Sequence, residues 1–130
     1  MLIMFKVKNY TSFKDEAILD LRATSYKQHT THLLETYDGT KLVKTAAIYG
    51  ANASGKSNFI SAMFFFEKYI FEQFITKNEA EEYDFSSKDL DTRLEPFLLT
   101  ENNNGASEFD IIFSCNDKTI QYGFECTSEE

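Results

Sequence analysis

Residues 50–57, Gly-Ala-Asn-Ala-Ser-Gly-Lys-Ser, set two glycines five positions apart and follow the second with a lysine and a serine. That spacing suits a loop that wraps a chain of phosphates. Gly50 and Gly55 would let the backbone take positive φ and approach phosphate oxygens closely. Successive amides from Asn52 to Ser57 would point inward as an anion nest at the start of the following helix. Lys56 would reach the β- and γ-phosphates as a point charge, and the Ser57 hydroxyl would ligate Mg²⁺. The ligand that fits this chemistry is a nucleoside triphosphate, ATP or GTP, with Mg²⁺. The candidate binding residues are Gly50, Ala51, Asn52, Ala53, Ser54, Gly55, Lys56, Ser57 and Asn58. The bland alternative is a strand-to-helix turn that uses glycine for geometry alone, but it gives no reason for Lys56 and Ser57 together.

Such a loop needs a strand before it and a helix after it, and the flanking sequence supplies both patterns. Residues 42–49 (LVKTAAIY) read as a buried strand, apolar towards its end. Residues 57–75 read as a long helix, with Phe59, Met63, Phe66, Ile70 and Phe74 recurring at three- and four-residue spacing. Ile60, Phe64, Phe71 and Ile75 flank that stripe, a width that implies burial on more than one side. Core packing explains these rings more simply than an aromatic ligand pocket.

Upstream, residues 2–8 and 16–22 alternate apolar and polar and predict an antiparallel hairpin across the polar stretch NYTSFKD. Residues 25–41 are polar, with a turn signal at Tyr37-Asp38-Gly39-Thr40, and predict a surface excursion. Residues 76–95 are charged and irregular, a lid-like loop or a weak helix. Pro96 then reopens an extended piece over 97–99, followed by a loop at ENNNGAS. In 108–115 and 118–126 a two-residue turn at Asn116-Asp117 would set Phe113 opposite Ile120, Ile111 opposite Tyr122 and Phe109 opposite Phe124. Every apolar residue then meets an apolar partner.

The chain has 130 residues and a net charge of −8, unevenly spread. Residues 1–60 hold eight Lys/Arg and five Asp/Glu, and residues 61–130 hold five and sixteen. The basic half carries the glycine loop, which suits a polyanion, whereas the acidic half repels a nucleic-acid backbone. Two cysteines, a single proline and the absence of a secretory leader fit a reducing cytoplasm, and no segment is long enough to span a membrane. His29 and His32 lack further ligands nearby to complete a metal set. Cys115 and Cys126 fall at opposite ends of the predicted hairpin, so they should not bond to each other.

These residues resemble a known group. YGANASGKSN is similar to the Walker A segment of ABC-type ATPases of the SMC, RecF and OLD-nuclease group, with Asn52 and Asn58 flanking the loop. MLIMFKVKNYTSFKDEAILDL resembles that group's N-terminal hairpin, in which Asn9-Tyr10-Thr11-Ser12-Phe13 introduces the second strand and makes Thr11 and Ser12 further candidate contacts. EPFLLTENNNGASEFDIIFSCNDKTIQYGFE resembles the antiparallel strands of AAA-family ATPases associated with abortive infection, the AbiL and RloA type. The implied fold is α/β, a partial P-loop NTPase (ABC-ATPase-like) lobe, with an N-terminal antiparallel hairpin, a buried strand–P-loop–helix unit and a C-terminal antiparallel hairpin. Residues 1–130 would form one domain.

The resemblance implies an ATP-binding lobe that dimerises head to tail and couples ATP to an effector, often in phage defence. Nucleic acid would be met only through a complete protein or a partner. Two departures stand out. A basic residue commonly occupies the place of Thr11, and four apolar residues followed by Asp-Glu, the Walker B pattern, occur nowhere; the signature motif and switch histidine are missing too. The chain therefore reads as the N-terminal part of a longer ATPase whose remainder lies in cis or in trans. Three functions stay open: an ATPase lobe, a nucleotide-holding regulatory module that does not turn over, and an interaction protein whose acidic half binds a partner.

Overall fold

Alternating apolar and polar residues at the start of the chain give a strand with one dry face. In the computed structural model, which describes residues 1–25, 30–74, 94–99 and 105–127, that strand is β1 (Leu2–Lys8), which buries Ile3, Phe5 and Val7. After it come β2 (Ala17–Asp20), a 3₁₀ turn at Thr30–His32, β3 (Leu33–Glu35), β4 (Lys41–Val43), helix α1 (Lys56–Phe74), β5 (Ser107–Cys115) and β6 (Lys118–Cys126). Four strands form one antiparallel sheet in the order β2-β1-β5-β6. The first strand of the chain therefore lies in the middle of the sheet, with Val7 between Ala17 and Phe109 and Phe5 between Leu19 and Ile111.

The C-terminal hairpin takes the register that its apolar residues demand. Phe109 faces Phe124, Ile111 faces Tyr122 and Phe113 faces Ile120. The turn residues Asn116 and Asp117 have φ of 49° and 60°, the pair of positive values that a two-residue I′ turn requires. Cys115 is exposed at one end and Cys126 buried at the other, and the two are not bonded to each other.

α1 packs on one face of this sheet. Phe59, Ala62, Phe65 and Phe66 are buried there with Phe5, Val7, Tyr10, Phe109 and Cys126. Phe5 meets Phe59 and Phe66 edge-on, each at 5.7 Å between ring centroids, while Phe109 and Phe124 stack at 5.2 Å. Such ring pairs add about 0.5–1.5 kcal/mol beyond the area they bury. One flank of α1 is only partly covered among the described residues. Ile60 and Phe64 are exposed there, and with Met63, Ile70 and Phe71 of the helix and Phe5 and Ile111 of the sheet they line an apolar groove of about 600 Å³. The wide apolar stripe thus predicted burial on more than one side, and the sheet covers only one.

Two further expectations change. The polar excursion over 25–41 contains a small hairpin, β3 paired with β4, in which Leu42 is fully buried. Its turn is held by Asp38, which accepts from the Thr36 hydroxyl at 2.5 Å and from the Thr40 amide at 3.0 Å. The strand expected over 42–49 covers only Lys41–Val43. Residues 44–50 join no ladder among the described residues, and Ile48 and Tyr49 stand 41% and 92% exposed. Apolarity alone cannot bury a strand; it needs a neighbour on each side, and here no described strand lies beside it.

Ile75 and residues 76–93 of the expected lid-like loop, and 101–104 of ENNNGAS, lie outside the described residues. Residues 94–98 have no regular structure, although Leu98 and Leu99 are exposed as an extended piece would leave them. Among the described residues no helix is long and apolar enough to cross a membrane.

Two outcomes follow from this packing. A Cβ on Gly123 would lie 2.7 Å from the Phe109 carbonyl oxygen across the ladder. Alanine in a strand ordinarily gains about 0.5–1 kcal/mol over glycine. Here Gly123→Ala should instead destabilise by about 1–3 kcal/mol, read as a lower midpoint in urea. The Thr36 hydroxyl and then the Thr40 amide hold the Asp38 carboxyl down at about 2 against an ordinary 3.8. A depressed carboxylate stabilises the fold above its unfolded value and loses that contribution as pH falls through its folded value. The thermal midpoint should therefore drop between pH 3.8 and about 2, and Asp38→Asn should flatten that part of the profile.

Candidate functional site

The glycine loop sits where helix physics makes an anion welcome. α1 starts at Lys56 and has no acidic side chain in its first turn, so the positive end of its dipole is uncompensated. The Phe59 amide reaches the Gly55 carbonyl at 2.9 Å, the bond that begins the helix. Just upstream, the Ser54 amide closes a turn on the Ala51 carbonyl at 3.3 Å. Two loop residues take positive φ, Ala53 at 62° and Gly55 at 89°. Ala53, not Gly50, is thus the second left-handed position. Gly50 serves through its missing side chain, since a Cβ there would stand 2.8 Å from Ser54 Oγ.

Lys56 folds back over the loop. Its Nζ donates to the carbonyl oxygens of Gly50 at 2.9 Å and Ala51 at 2.6 Å. The loop therefore curls around a cation supplied by its own helix. Ser57, on the next residue, is exposed, as are Ala51, Asn52, Ala53 and Ser54. Beside the loop, an apolar cleft of about 210 Å³ opens between Leu19 and Phe13 on one side and Ile48 and Tyr49 on the other.

The turn between β1 and β2 presses on this loop, an arrangement that the polar look of NYTSFKD concealed. Tyr10 is completely buried and Asn9 nearly so. Tyr10 and Phe13 exchange two backbone hydrogen bonds, at 3.0 and 2.8 Å, around Thr11 and Ser12. The Asn58 side-chain amide donates to Ser12 Oγ at 2.9 Å. A Cβ on Gly55 would lie 2.8 Å from that same Oγ and 3.2 Å from the Phe13 ring. The structure thus brings Ser12, Gly55 and Asn58 together.

Thr11 differs. Its φ is 46°, its amide donates to the Glu95 carbonyl at 2.6 Å, and its hydroxyl is buried with no hydrogen-bond partner among the described residues. A β-branched residue in that region costs about 1–3 kcal/mol, and an unpaired buried hydroxyl a similar amount. Asn9, at φ 52°, is the more tolerant residue for this conformation.

Elsewhere, charges pair on the outer face of the sheet. Lys8 meets Glu108 at 2.6 Å, which raises the lysine pKa, and Lys6 meets Glu16 at 3.4 Å and Asp110 at 3.8 Å. Arg22 clasps Asp20 and holds its carboxyl below the usual range. His29 lies outside the described residues and His32 is exposed. No cluster of three His, Cys, Asp or Glu among the described residues could hold a metal ion.

The two loop glycines should respond differently to substitution. At Gly50 only the swinging hydroxyl of Ser54 opposes a methyl, so Gly50→Ala should shift the melting temperature little. At Gly55 a methyl meets Ser12, the Phe13 ring and a φ of 89° together, so Gly55→Ala should cost on the order of 1–3 kcal/mol. Thermal melts of the two variants check the contrast.

A family model described as "AAA domain, putative AbiEii toxin, Type IV TA system" matches residues 46–130. The match runs from the apolar residues before the loop through α1 and the β5–β6 hairpin. No curated protein and no solved structure matches the chain. With about two thirds of its length inside one family match, the chain belongs to this AAA domain family, a P-loop ATPase-like family of nucleotide-binding type.

Proposed function

We propose that residues 50–58 form a Walker A loop that holds the phosphates of ATP, and that the chain is the N-terminal lobe of an ATPase of the ABC-like group. The observation that carries this reading is the position of Lys56, folded onto the carbonyl oxygens of Gly50 and Ala51 at the start of a helix without acids in its first turn. The residues fit a polyphosphate. Gly55 has no room for a Cβ, α1 starts without an acid in its first turn, and the lysine that follows Gly55 lies over the loop.

In this reading Gly50, Ala51, Asn52, Ala53, Ser54 and Gly55 supply backbone amides, Lys56 binds the terminal phosphates and the Ser57 hydroxyl holds Mg²⁺. Asn58 and Ser12 brace the loop from the side. Thr11, with its hydroxyl buried, makes no phosphate contact. When bound, Mg-ATP supplies a transferable phosphoryl group whose charge the metal neutralises.

Catalysis asks for more than this loop. Phosphates held equally well in ground and transition state are not transferred faster. Asp20 is clasped by Arg22, and Asp110 Oδ2 is held by Gln121 and Lys6, while its Oδ1 is buried with no hydrogen-bond partner among the described residues, so these strand carboxylates sit within the sheet. The water-activating carboxylate would come from the remainder of the ATPase domain, in cis or in trans, with charge-stabilising donors from a second protomer in a head-to-tail dimer. The exposed run at Ile48–Tyr49 and the apolar groove on α1 suit such a partner surface. The complete protein would couple ATP to a nucleic-acid-directed or anti-phage effector in the cytoplasm. A second reading, a nucleotide-holding regulatory module without turnover, draws on the same engaged carboxylates.

Mg-ATP at a hundredfold excess over its dissociation constant should stabilise the fold by about 2.7 kcal/mol, and Lys56→Ala should abolish the rise in melting temperature. Phosphate release by the 130-residue chain should not exceed that of Lys56→Ala. An equal thermal shift in the mutant would remove the phosphate assignment. Turnover that vanishes in the mutant would reveal a base among these residues.

A further inference from the structure

The turn that presses on the glycine loop also holds a second segment, on its far side. Asn9 donates through its side-chain amide to the carbonyl oxygens of Gly105 at 2.6 Å and Ala106 at 3.2 Å, and its Oδ1 accepts from the Phe97 amide at 3.3 Å. The Thr11 amide reaches the Glu95 carbonyl at 2.6 Å, and the Ser107 hydroxyl reaches the Asn9 carbonyl. Residues 94–99 thus form a strap without regular structure, tied to the turn at Glu95 and Phe97 and carrying the exposed Leu98 and Leu99. On the near side the turn touches the loop through Ser12, Phe13 and Asn58.

We propose that the Asn9–Phe13 turn transmits the state of the 50–55 loop to the strap at 94–99, making the strap the output of the nucleotide site. The proposal rests on the reading of the loop as a phosphate cradle. Lys56 Nζ spends two of its three N–H donors on the Gly50 and Ala51 carbonyls, so a phosphate that draws the ammonium towards itself competes with those bonds, and their loss lets the loop rearrange. Gly55, at φ 89°, is the pivot between the loop and the rigid helix, and it has no free space on the side of Ser12 and Phe13. A movement there pushes on a turn already held in a strained conformation at Thr11. Strain of this kind persists only where the surroundings impose it, and a small displacement releases it. The Thr11 amide and the Asn9 side chain then carry the displacement into Glu95 and Phe97. Differential contact in two loop states is what such a linkage requires.

Amide hydrogen exchange on the wild-type chain, with and without saturating Mg-ATP, tests this directly. Exchange in 50–58 reports binding; exchange at Thr11 and Phe97 reports transmission. The expected result is a change of at least about threefold at both amides, with the β5–β6 turn at 115–118 unchanged as the internal control. Asn9→Gly, which accepts the positive φ but deletes the side-chain bonds to Gly105, Ala106 and Phe97, should keep the response in 50–58 and lose it at Phe97. Altered exchange in 50–58 with Thr11 and Phe97 unmoved would overturn the coupling and leave the nucleotide reading standing. No response in 50–58 would overturn both. A Phe97 response that survives Asn9→Gly would overturn the route through the turn.

Discussion

Phe5 sits between two rings of α1, edge-on to Phe59 and to Phe66, and that contact joins the central strand of the sheet to the helix that carries the glycine loop. Position in the molecule gives it weight. β1 has a strand on each side, so its inward face is the floor on which α1 must lie. Phe59 is one turn from Gly55, and its ring also meets Phe13 at 5.9 Å, so the same aromatic seam that fixes the helix fixes the turn against the loop. Loss of a buried ring of this kind costs about 3–5 kcal/mol, a large part of the stability of a domain of this size. The geometry of the loop is inherited from the core beneath it.

The loop itself shows how a short stretch can be both rigid and ready to move. Its C-terminal half is continuous with α1, and its N-terminal half is held by a lysine side chain on two of its own carbonyls. A long, flexible cation is an inexpensive fastener. It satisfies two carbonyl oxygens that would otherwise face one another without a donor. On the outer face of the sheet Glu108 and Asp110 of the acidic half pair with Lys8 and Lys6, and no acid stands in the first turn of α1.

What the sequence disclosed follows the range of the interactions involved. The β5–β6 hairpin was legible residue by residue, because alternation, a two-residue turn and cross-strand partners are all local. Asn116 and Asp117 tolerate positive φ, and no other register pairs every apolar side chain. The start of α1 was legible to within a residue for the same reason, and the helix runs on through Phe74. The run before the loop was misread because its apolar residues say only that it wants neighbours, not that neighbours are there. Asn9 and Tyr10 were hidden in a stretch that looks polar, since a buried asparagine is recognisable only when its three backbone partners, some ninety residues away, are in place. The positive φ at Ala53 was equally invisible, for alanine carries no signal for it. The Gly-Lys-Ser spacing was plain, but how the lysine rests is decided by the fold of the loop and not by composition.

The placement of β1 also sets an order of events in time. Lys8 and Glu108 are partners separated by 100 residues, and Leu2 pairs with Phe113, so β1, once synthesised, waits for the distant β5 before it can find its inner neighbour. Until then β1 and β2 are an isolated hairpin, which is marginal in water, with an apolar face and an open edge. Closing so large a loop before any reward is slow, and the waiting edge is where a foreign strand could pair. Lys6 and Lys8 alternate with the apolar residues on that strand, and charge at an edge is the device that discourages such pairing. The lysines that later pair across the finished sheet thus begin as guards of an unfinished one.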